Sequence, residues 1–378
     1  MEAPASGDTL QVDAELAVGP AKLVLVSNAS VSLRAKNDGS QIASAALEGT
    51  FFTPANAGKP PATPHIGDPD VIYDQRAERF WVVAIEVDFS ELVSTLPCYP
   101  DCPITKGWLH VAVSPDDDPT DLDWEVFTFD IQGEPFEDVF DGLAHFLNIA
   151  TDDDYLYIAC TDSVDRSNFG TWRTTILILE KEPMLAEKDP TPPDLEWVRL
   201  HEISQTWGHA IGTKDWAGSS ADVMYLVAPA NPPLKEPDQY QTHMNVVGLY
   251  LDDDEWVAEA FPEGIELPAP YFGIDSVDGA PVPALPMGCS GTPKMTLVQS
   301  ACIHGVQHGT GKSASLWTTL HCREDIKSEP GQYHVVRWFE ISLNGWPFEM
   351  DDPEFRQRDR LMASPLVRRG TPMTRALR

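Results

Sequence analysis

Histidine and tryptophan side chains are spaced in a way that suits a transition-metal site. Trp108 and His110 are two residues apart, and His209 follows another tryptophan at the same spacing, with His201 nearby. Imidazole is a common ligand for copper and zinc, and residues two apart in a strand share one face. These residues therefore predict a metal site, with copper as one candidate. The alternative is that each indole and imidazole packs inside a sheet.

Triplets of Asp occur three times in the chain, and two of them directly precede strand-like runs, at 152–154 and 252–254. Calcium prefers carboxylate and other oxygen ligands, so Asp116, Asp117 and Asp118 are candidate calcium ligands. None of the triplets has the ligand spacing of an EF-hand. Because Asp is also a common turn residue, solvated β-turns are the alternative interpretation.

The chain has six cysteines, an even number. Cys98 and Cys102 enclose a short Pro-containing loop, and Cys289 and Cys302 are also close in sequence. Even cysteine counts with short spacings are typical of disulfides in extracytoplasmic proteins. We therefore expect Cys98 to pair with Cys102 and Cys289 with Cys302. Six unrelated thiols are the alternative.

Familiar catalytic motifs do not resolve the question of function. The chain has no Gly-x-Ser-x-Gly nucleophile elbow, the turn that positions the serine of α/β-hydrolases. Paired carboxylates for glycoside cleavage cannot be selected by sequence alone from 59 acidic residues. No catalytic residue is therefore predicted.

The elements that carry these residues are predicted to be strands. Between the strands lie turn clusters rich in Gly, Asp, Asn and Pro, and no stretch of about 12 residues shows a helical apolar period. Groups of about four strands at roughly 40- to 70-residue spacing indicate an all-β protein, a β-propeller of six or seven blades with little helix. The clearest strand-like runs are 22–27, 80–87, 109–113, 155–159, 175–179, 223–227 and 334–341.

The ends of the chain differ from its middle. We expect residues 1–16 to form an N-terminal arm or closing strand, 17–345 the propeller, and 346–378 an Arg-rich tail that is disordered or packed on the propeller. Seven Arg against one acidic residue within 355–378 support that division. The tail is predicted to contact an anionic partner or a second copy of the chain.

Charge and hydropathy exclude several function classes. The formal net charge is −33, which repels phosphate backbones and anionic lipid surfaces, so no nucleic-acid partner is expected. No run approaches the roughly 18 to 20 apolar residues that span a bilayer, so no transmembrane segment is expected. The start of the chain lacks a signal-sequence pattern. Together with the cysteines, this predicts a secreted, periplasmic or cell-surface protein whose signal peptide has been removed.

Two stretches carry a family resemblance. Residues 67–80, Gly-Asp-Pro-Asp-Val-Ile-Tyr-Asp-Gln-Arg-Ala-Glu-Arg-Phe, and 111–120, followed by Trp124, resemble a family of secreted, largely uncharacterised bacterial β-propeller proteins. That resemblance implies an extracellular propeller without a settled activity.

Residues 114–124 resemble a stretched Asp-box, the hairpin of sialidase blades in which an Asp and a Trp fix the turn. Trp108 and His110 are similar to a Trp-x-His feature of secreted copper-binding proteins.

These observations leave three hypotheses of function open. The first is a secreted binding or structural module whose loops recognise a surface, a polysaccharide or an extracellular protein. The second is a propeller hydrolase or lyase with polar residues converging on the central channel. The third is a secreted metal-binding protein for copper or calcium. No other cofactor is expected.

Overall fold

Runs of β-branched and other apolar residues form strands throughout the described part of the chain, as their β-propensity predicts. The computed structural model divides the chain into two units, residues 1–169 with 175–199 and residues 170–174 with 200–378. It describes residues 14–55, 64–88, 107–131, 144–163, 172–186, 190–200, 211–215, 223–230, 241–260, 265–271, 302–308, 315–325 and 332–343.

Three four-stranded antiparallel sheets form the first unit. In each sheet the strands neighbour one another in chain order, which is the meander of a propeller blade. We call them blade 1 (β1–β4), blade 2 (β5–β8) and blade 3 (β9–β12). Their strands are Ala14–Val18, Lys22–Ser27, Ser30–Ala35, Gln41–Ala46, Pro64–Asp74, Arg79–Asp88, Gly107–Val113, Glu125–Asp130, Ala144–Thr151, Tyr155–Ser163, Trp172–Glu180 and Leu195–Leu200.

The second unit holds one larger sheet. Its strand order is β16-β15-β14-β13-β18-β19-β20, and β17 also pairs with β15. The contact between β13 and β18 is parallel, whereas the neighbouring pairs are antiparallel. The strands β13 to β20 are Ile211–Asp215, Met224–Ala230, Gln241–Asp252, Glu255–Ala260, Ile265–Tyr271, Cys302–His308, Ser315–Asp325 and Gln332–Ser342.

Helix is scarce, as the sequence predicts. Among the described residues the α-helix amounts to one short turn, α1 (Lys181–Met184). The all-β propeller class is therefore confirmed, while the number of blades stays a prediction. The described part of the chain holds no helix with the length and apolarity that crossing a bilayer requires.

Alternation along the central strands of blade 2 builds two cores. Phe80 and Val82 on β6 pack with blade 1 residues such as Val24 and Leu33. Trp81, and every second residue after it along β6, points to the other face and packs with blade 3. Because successive side chains of a strand point to opposite faces, blade 2 is buried on both sides. This explains why residues 80–85 of β6 are a continuous apolar run.

Polar contacts also join the blades of the first unit. The backbone N–H of Ile149 on β9 donates to Asp70 Oδ2 on β5 at 2.9 Å, although both groups are buried. Lys22 on β2 forms an ion pair with Asp118 in the turn after β7. The first contact joins the first strands of blades 2 and 3, and the second joins β2 of blade 1 to the β7–β8 turn of blade 2.

The predicted domain boundaries are not tested by the structure. Residues 14–16 belong to β1 and pair with β2, with Ala14 opposite Ser27 and Leu16 opposite Leu25. The tail at 346–378 lies outside the described residues. The division of the chain therefore stays a prediction.

Candidate functional site

Polar groups from three separate segments meet where β5 begins: the side chains of Asn28, Glu48 and His65 and the backbone N–H of Asp68. Asn28 lies in the turn between β2 and β3, Glu48 follows β4, and His65 and Asp68 belong to β5. The β-hairpin of blade 1 and the start of β5 lie together because blades 1 and 2 share a core. The cluster is therefore a product of blade packing, not of proximity in the sequence.

Asp68 has an unusual backbone for a residue inside a strand. Its φ is 49°, in the left-handed region. The β5–β6 ladder shifts register between Gly67 and Asp70, so Asp68 lies in a β-bulge. Its N–H donates to Asn28 Oδ1 at 2.8 Å. Strained backbone of this kind persists only where the surroundings hold it, and it is concentrated at functional sites.

Glu48 and His65 form a half-exposed pair beside the bulge. His65 Nδ1 lies 3.8 Å from Glu48 Oε2, and the two side chains are 50% and 40% exposed. The same Glu48 oxygen accepts the backbone N–H of Ile66 at 3.2 Å. The carboxylate is therefore held against the start of β5 while the imidazole faces solvent, where a substrate can reach it.

Gly67 leaves room for this imidazole. A Cβ atom at Gly67 would lie 3.1 Å from His65 Nε2 and 3.4 Å from Asn28 Oδ1. The separation from His65 is tighter than ordinary van der Waals contact, so a larger residue would push the imidazole ring away. Glycine at this position thus lets His65, Asn28 and Asp68 lie close together.

The cluster combines the groups that acid–base chemistry needs. Imidazole exchanges protons near neutral pH, and a neighbouring carboxylate orients it. Asp68 adds a second carboxylate on the same strand, at a fixed backbone geometry. The sequence analysis did not select these residues, because Gly, Asp and Pro at 67–69 favour a turn. The signal that was available is the Asp-Pro pair shortly before the apolar residues 71–73, because Pro within a strand indicates a bulge or an edge.

The predicted metal residues of β7 lie between blades 1 and 2. His110 is fully buried, with Nε2 2.7 Å from Glu86 Oε2 and Nδ1 3.0 Å from Thr128 Oγ1. Trp108, two residues earlier, is partly buried opposite Glu86 in the ladder. Both ring nitrogens of His110 thus have protein partners, and a metal ion would have to replace one of them. The predicted metal role of Trp108 and His110 stays a prediction.

The predicted calcium ligands form the turn between β7 and β8. Asp116 Oδ1 accepts the N–H of Asp118 at 3.0 Å, and the Asp116 carbonyl accepts the Ser114 hydroxyl at 2.7 Å. The Asp118 carboxylate contacts Lys22. Asp117 lies between them and is partly exposed. The geometry of 116–118 is that of a hydrogen-bonded turn, and calcium binding there is not tested.

The Asp-box resemblance has a structural counterpart in the same turn. Trp124 is buried, and its Nε1 donates to the carbonyl of Asp121 at 3.1 Å. Asp121 Oδ1 in turn accepts the N–H of Asp123 at 3.1 Å. The Trp124 ring packs on Phe51 and Phe80 in the core between blades 1 and 2. An Asp and a Trp therefore fix this turn, and their role is scaffolding.

The other predicted site residues fall outside the described part of the chain. His201, His209, Cys98, Cys102 and Cys289 lie in segments that the structure does not describe. Cys302 begins β18, but its side chain is not described either. The predicted disulfides and the histidine site therefore stay predictions. Within the described segments, no three or more His, Cys, Asp or Glu side chains are arranged to hold a metal ion.

A second charged cluster lies at the opposite end of β5 and is buried. Lys181 Nζ donates to Asp74 Oδ2 at 2.7 Å and to the Asp152 carbonyl. The Tyr157 hydroxyl donates to Asp152 Oδ2 at 2.5 Å. Burial raises the pKa of the Asp152 carboxyl, an effect that the hydrogen bond from Tyr157 opposes. Burial also raises the pKa of Tyr157, which therefore remains a donor.

Comparison with known proteins yields structural likeness only. No family model and no curated protein sequence matches this chain. An α-L-arabinofuranosidase from Lactobacillus brevis has 13% identity and a TM-score of 0.40, with 88% of this chain and 92% of that chain covered. A thermostable family-43 glycoside hydrolase has 12% identity and a TM-score of 0.38, with 87% of this chain and 89% of that chain covered. The extracellular domains 1-2 of Drosophila Semaphorin 1a have 10% identity and a TM-score of 0.29, with 87% of this chain and 79% of that chain covered.

These identities and TM-scores are too low to assign a family or an activity. The resemblance of residues 67–80 and 111–120 to secreted bacterial propeller proteins therefore stays a prediction. Any function has to be argued from the residues of the chain itself.

Proposed function

We propose that this chain is a hydrolase that cleaves neutral glycans at the cluster of Asn28, Glu48, His65 and Asp68. The observation that carries the proposal is Asp68, an acidic residue held at φ 49° within a strand. It lies three residues from an imidazole that is paired with a second carboxylate. At Asp68 the left-handed backbone lies beside a half-exposed pair of imidazole and carboxylate.

Acetal hydrolysis requires two proton transfers. One group must protonate the leaving oxygen, and another must activate a water molecule. His65, next to Glu48, is suited to exchange the proton with the leaving group because an imidazole can both donate and accept a proton. Asp68 is the carboxylate that activates water. Asn28 holds the bulge by accepting the Asp68 N–H, so the carboxylate starts from a fixed backbone position.

The charge of the chain narrows the substrate class. A net charge of −33 disfavours the approach of polyanions such as phosphorylated or uronic acid-rich polymers. A neutral polysaccharide or oligosaccharide does not meet that repulsion. A neutral polysaccharide agrees with the polysaccharide partner that the sequence analysis expects. The proposal differs in that the chain cleaves the polysaccharide and does not only bind it.

The test is a screen of neutral polysaccharides and chromogenic glycosides for release of reducing ends. We expect wild-type protein to cleave at least one substrate and Asp68→Asn to lose about 100-fold or more in kcat/KM. The matched control is Asp253→Asn, because Asp253 lies in an exposed turn with φ 45°. Asn tolerates this backbone region as Asp does. Equal activity in wild type and Asp68→Asn would contradict the proposal.

A second candidate function is glycan binding without cleavage. The observation that favours it is Trp197 on β12, the edge strand of blade 3, whose side chain is among the exposed large hydrophobics. An exposed indole can stack on a sugar ring. Affinity electrophoresis with Asp68→Asn separates the two functions. Retarded migration that Trp197→Ala abolishes, with no cleavage by wild type, would support binding alone.

A further inference from the structure

A buried acid–base pair lies directly behind the candidate site. Glu86 on β6 and His110 on β7 are both fully buried, and His110 Nε2 lies 2.7 Å from Glu86 Oε2. Removing such groups from water is costly unless every polar atom finds a partner. Thr128 Oγ1 serves Nδ1 of His110 at 3.0 Å. Further contacts are therefore needed to offset the free-energy cost of burying the pair.

The pair also contacts a loop of blade 1. The backbone N–H of Ala55 donates to Glu86 Oε2 at 2.7 Å. The Phe52 ring lies against the His110 ring, with centroids 5.3 Å apart. Both contacts bind the segment 47–55 to blade 2. Glu86 and His110 are thus the polar attachment point of that segment.

The same segment carries Glu48. Its turn is closed by the Gly49 N–H donating to the Phe52 carbonyl at 2.8 Å and by the Phe52 N–H donating to the Leu47 carbonyl at 2.9 Å. Displacing Phe52 or Ala55 would therefore move Glu48. The register of blade 2 adds a second link, since Glu86 lies opposite Ile66, whose N–H binds Glu48.

We propose that Glu86 and His110 are positioning residues that hold Glu48 against His65. The inference rests on the proposed function, because it assigns the pair to the acid–base group of that site. Neither residue touches the substrate. Their effect is on the geometry of the Glu48 segment, and small displacements of an acid–base group lower the rate more than they lower binding.

The test compares Glu86→Leu with Glu86→Gln. Leucine removes the oxygen that both Ala55 and His110 contact, whereas glutamine can keep a carbonyl oxygen at that position. We expect Glu86→Leu to raise hydrogen exchange of the 47–55 amides about 10-fold or more and to lower kcat about 10- to 100-fold with little change in KM. Glu86→Gln should restore both to within about threefold of wild type.

Two controls separate positioning from general destabilisation. Asp74→Asn removes a buried charge at the other end of β5, and it should leave exchange at 47–55 unchanged. The double variant Glu86→Leu with Glu48→Gln should be no less active than Glu48→Gln alone, because both changes act on one group. Additive losses in the double variant would overturn the inference.

The exchange measurement stands apart from activity. Faster exchange at 47–55 in Glu86→Leu, in a protein that cleaves no glycan, would overturn the proposed function and leave the attachment of the segment intact. Unchanged exchange in an active enzyme would overturn the positioning role alone.

If Glu86→Leu does not fold, Thr128→Val removes the partner of His110 at an exposed site. It should raise exchange at 47–55 about 2- to 5-fold, and no rise would contradict the inference.

Discussion

The two ends of β5 carry the same chemistry in opposite settings. At its start, Asp68 lies in a bulge beside the half-exposed pair of Glu48 and His65. At its end, Asp74 is buried and bound to Lys181, with both side chains no more than 2% exposed. Asp74 Oδ1 also accepts the N–H groups of the following turn. One end has its charges satisfied within the fold, and the other presents them to solvent.

This difference separates structural carboxylates from candidate catalytic ones. The Asp74 carboxylate has both oxygens occupied and binds a cation on blade 3, so its role is to join blades 2 and 3. The groups around Asp68 are held through backbone contacts, which leaves His65 accessible. Acidic residues in a chain with 59 of them are therefore distinguished by burial and partners.

Removing the buried cation should have the largest effect on the fold. Lys181→Met leaves Asp74 charged and unpaired in the core, and we expect it to lower the free energy of unfolding by about 3–5 kcal/mol. Denaturant titration followed by tryptophan fluorescence measures the change. Adding Asp74→Asn to this variant should restore part of the loss. A Lys181→Met protein as stable as wild type would show that the pair does not join the blades.

Removing the exposed imidazole should act on activity instead. His65→Ala is expected to lower kcat/KM on the cleaved glycan by about 100-fold. Its free energy of unfolding should change by no more than about 0.5 kcal/mol, because the side chain is half exposed. Kinetics and denaturant titration on one preparation measure both. A loss of stability without a loss of rate would show that His65 has a structural role and no catalytic role.

A smaller disturbance of the same ring comes from Gly67→Ala. The added methyl group meets His65 Nε2 at 3.1 Å, and the half-exposed ring can swing away. We expect kcat to fall about 3- to 10-fold with the fold retained. Steady-state kinetics check this, and thermal unfolding of the same preparation checks that the fold is retained. Unchanged kinetics would show that the ring position does not matter.

The pH dependence of stability should distinguish the buried end further. Because burial raises the pKa of Asp152, the native state holds its proton more tightly than the unfolded chain. Wild-type stability from this group is present below the ordinary Asp range and is lost as pH rises through the raised pKa. Asp152→Asn does not titrate, so its stability relative to wild type should increase from pH 3.5 to pH 7. A constant difference would contradict this.

Much of the fold follows from the sequence, whereas the site does not. The apolar runs 80–87 and 155–159 predict β6 and β10 because their residues are buried on both faces. The strand β5 was missed in part, since Gly67, Asp68 and Pro69 interrupt its apolar pattern and favour a turn. Its pairing with β6 and its packing between blades override that local preference.

The candidate site needs three segments that only the folded blades bring together. Asn28 and Glu48 carry no catalytic motif, and each follows a strand of blade 1 as an ordinary loop residue. His110 illustrates the converse. Its spacing from Trp108 predicts a ligand, and the structure instead supplies partners for both of its ring nitrogens from strands that are distant in sequence. Long-range partners are the information that spacing alone does not contain.

The most direct test of the account compares Asp68→Asn with Asp74→Asn in one glycan-cleavage assay, together with thermal unfolding. Both variants change one carboxylate of β5 to an amide. The account predicts that Asp68→Asn loses cleavage with its Tm nearly unchanged, whereas Asp74→Asn unfolds at lower temperature and retains wild-type activity per folded molecule. Loss of activity in Asp74→Asn alone, or equal activity in both, would contradict the assignment of catalysis to the start of β5.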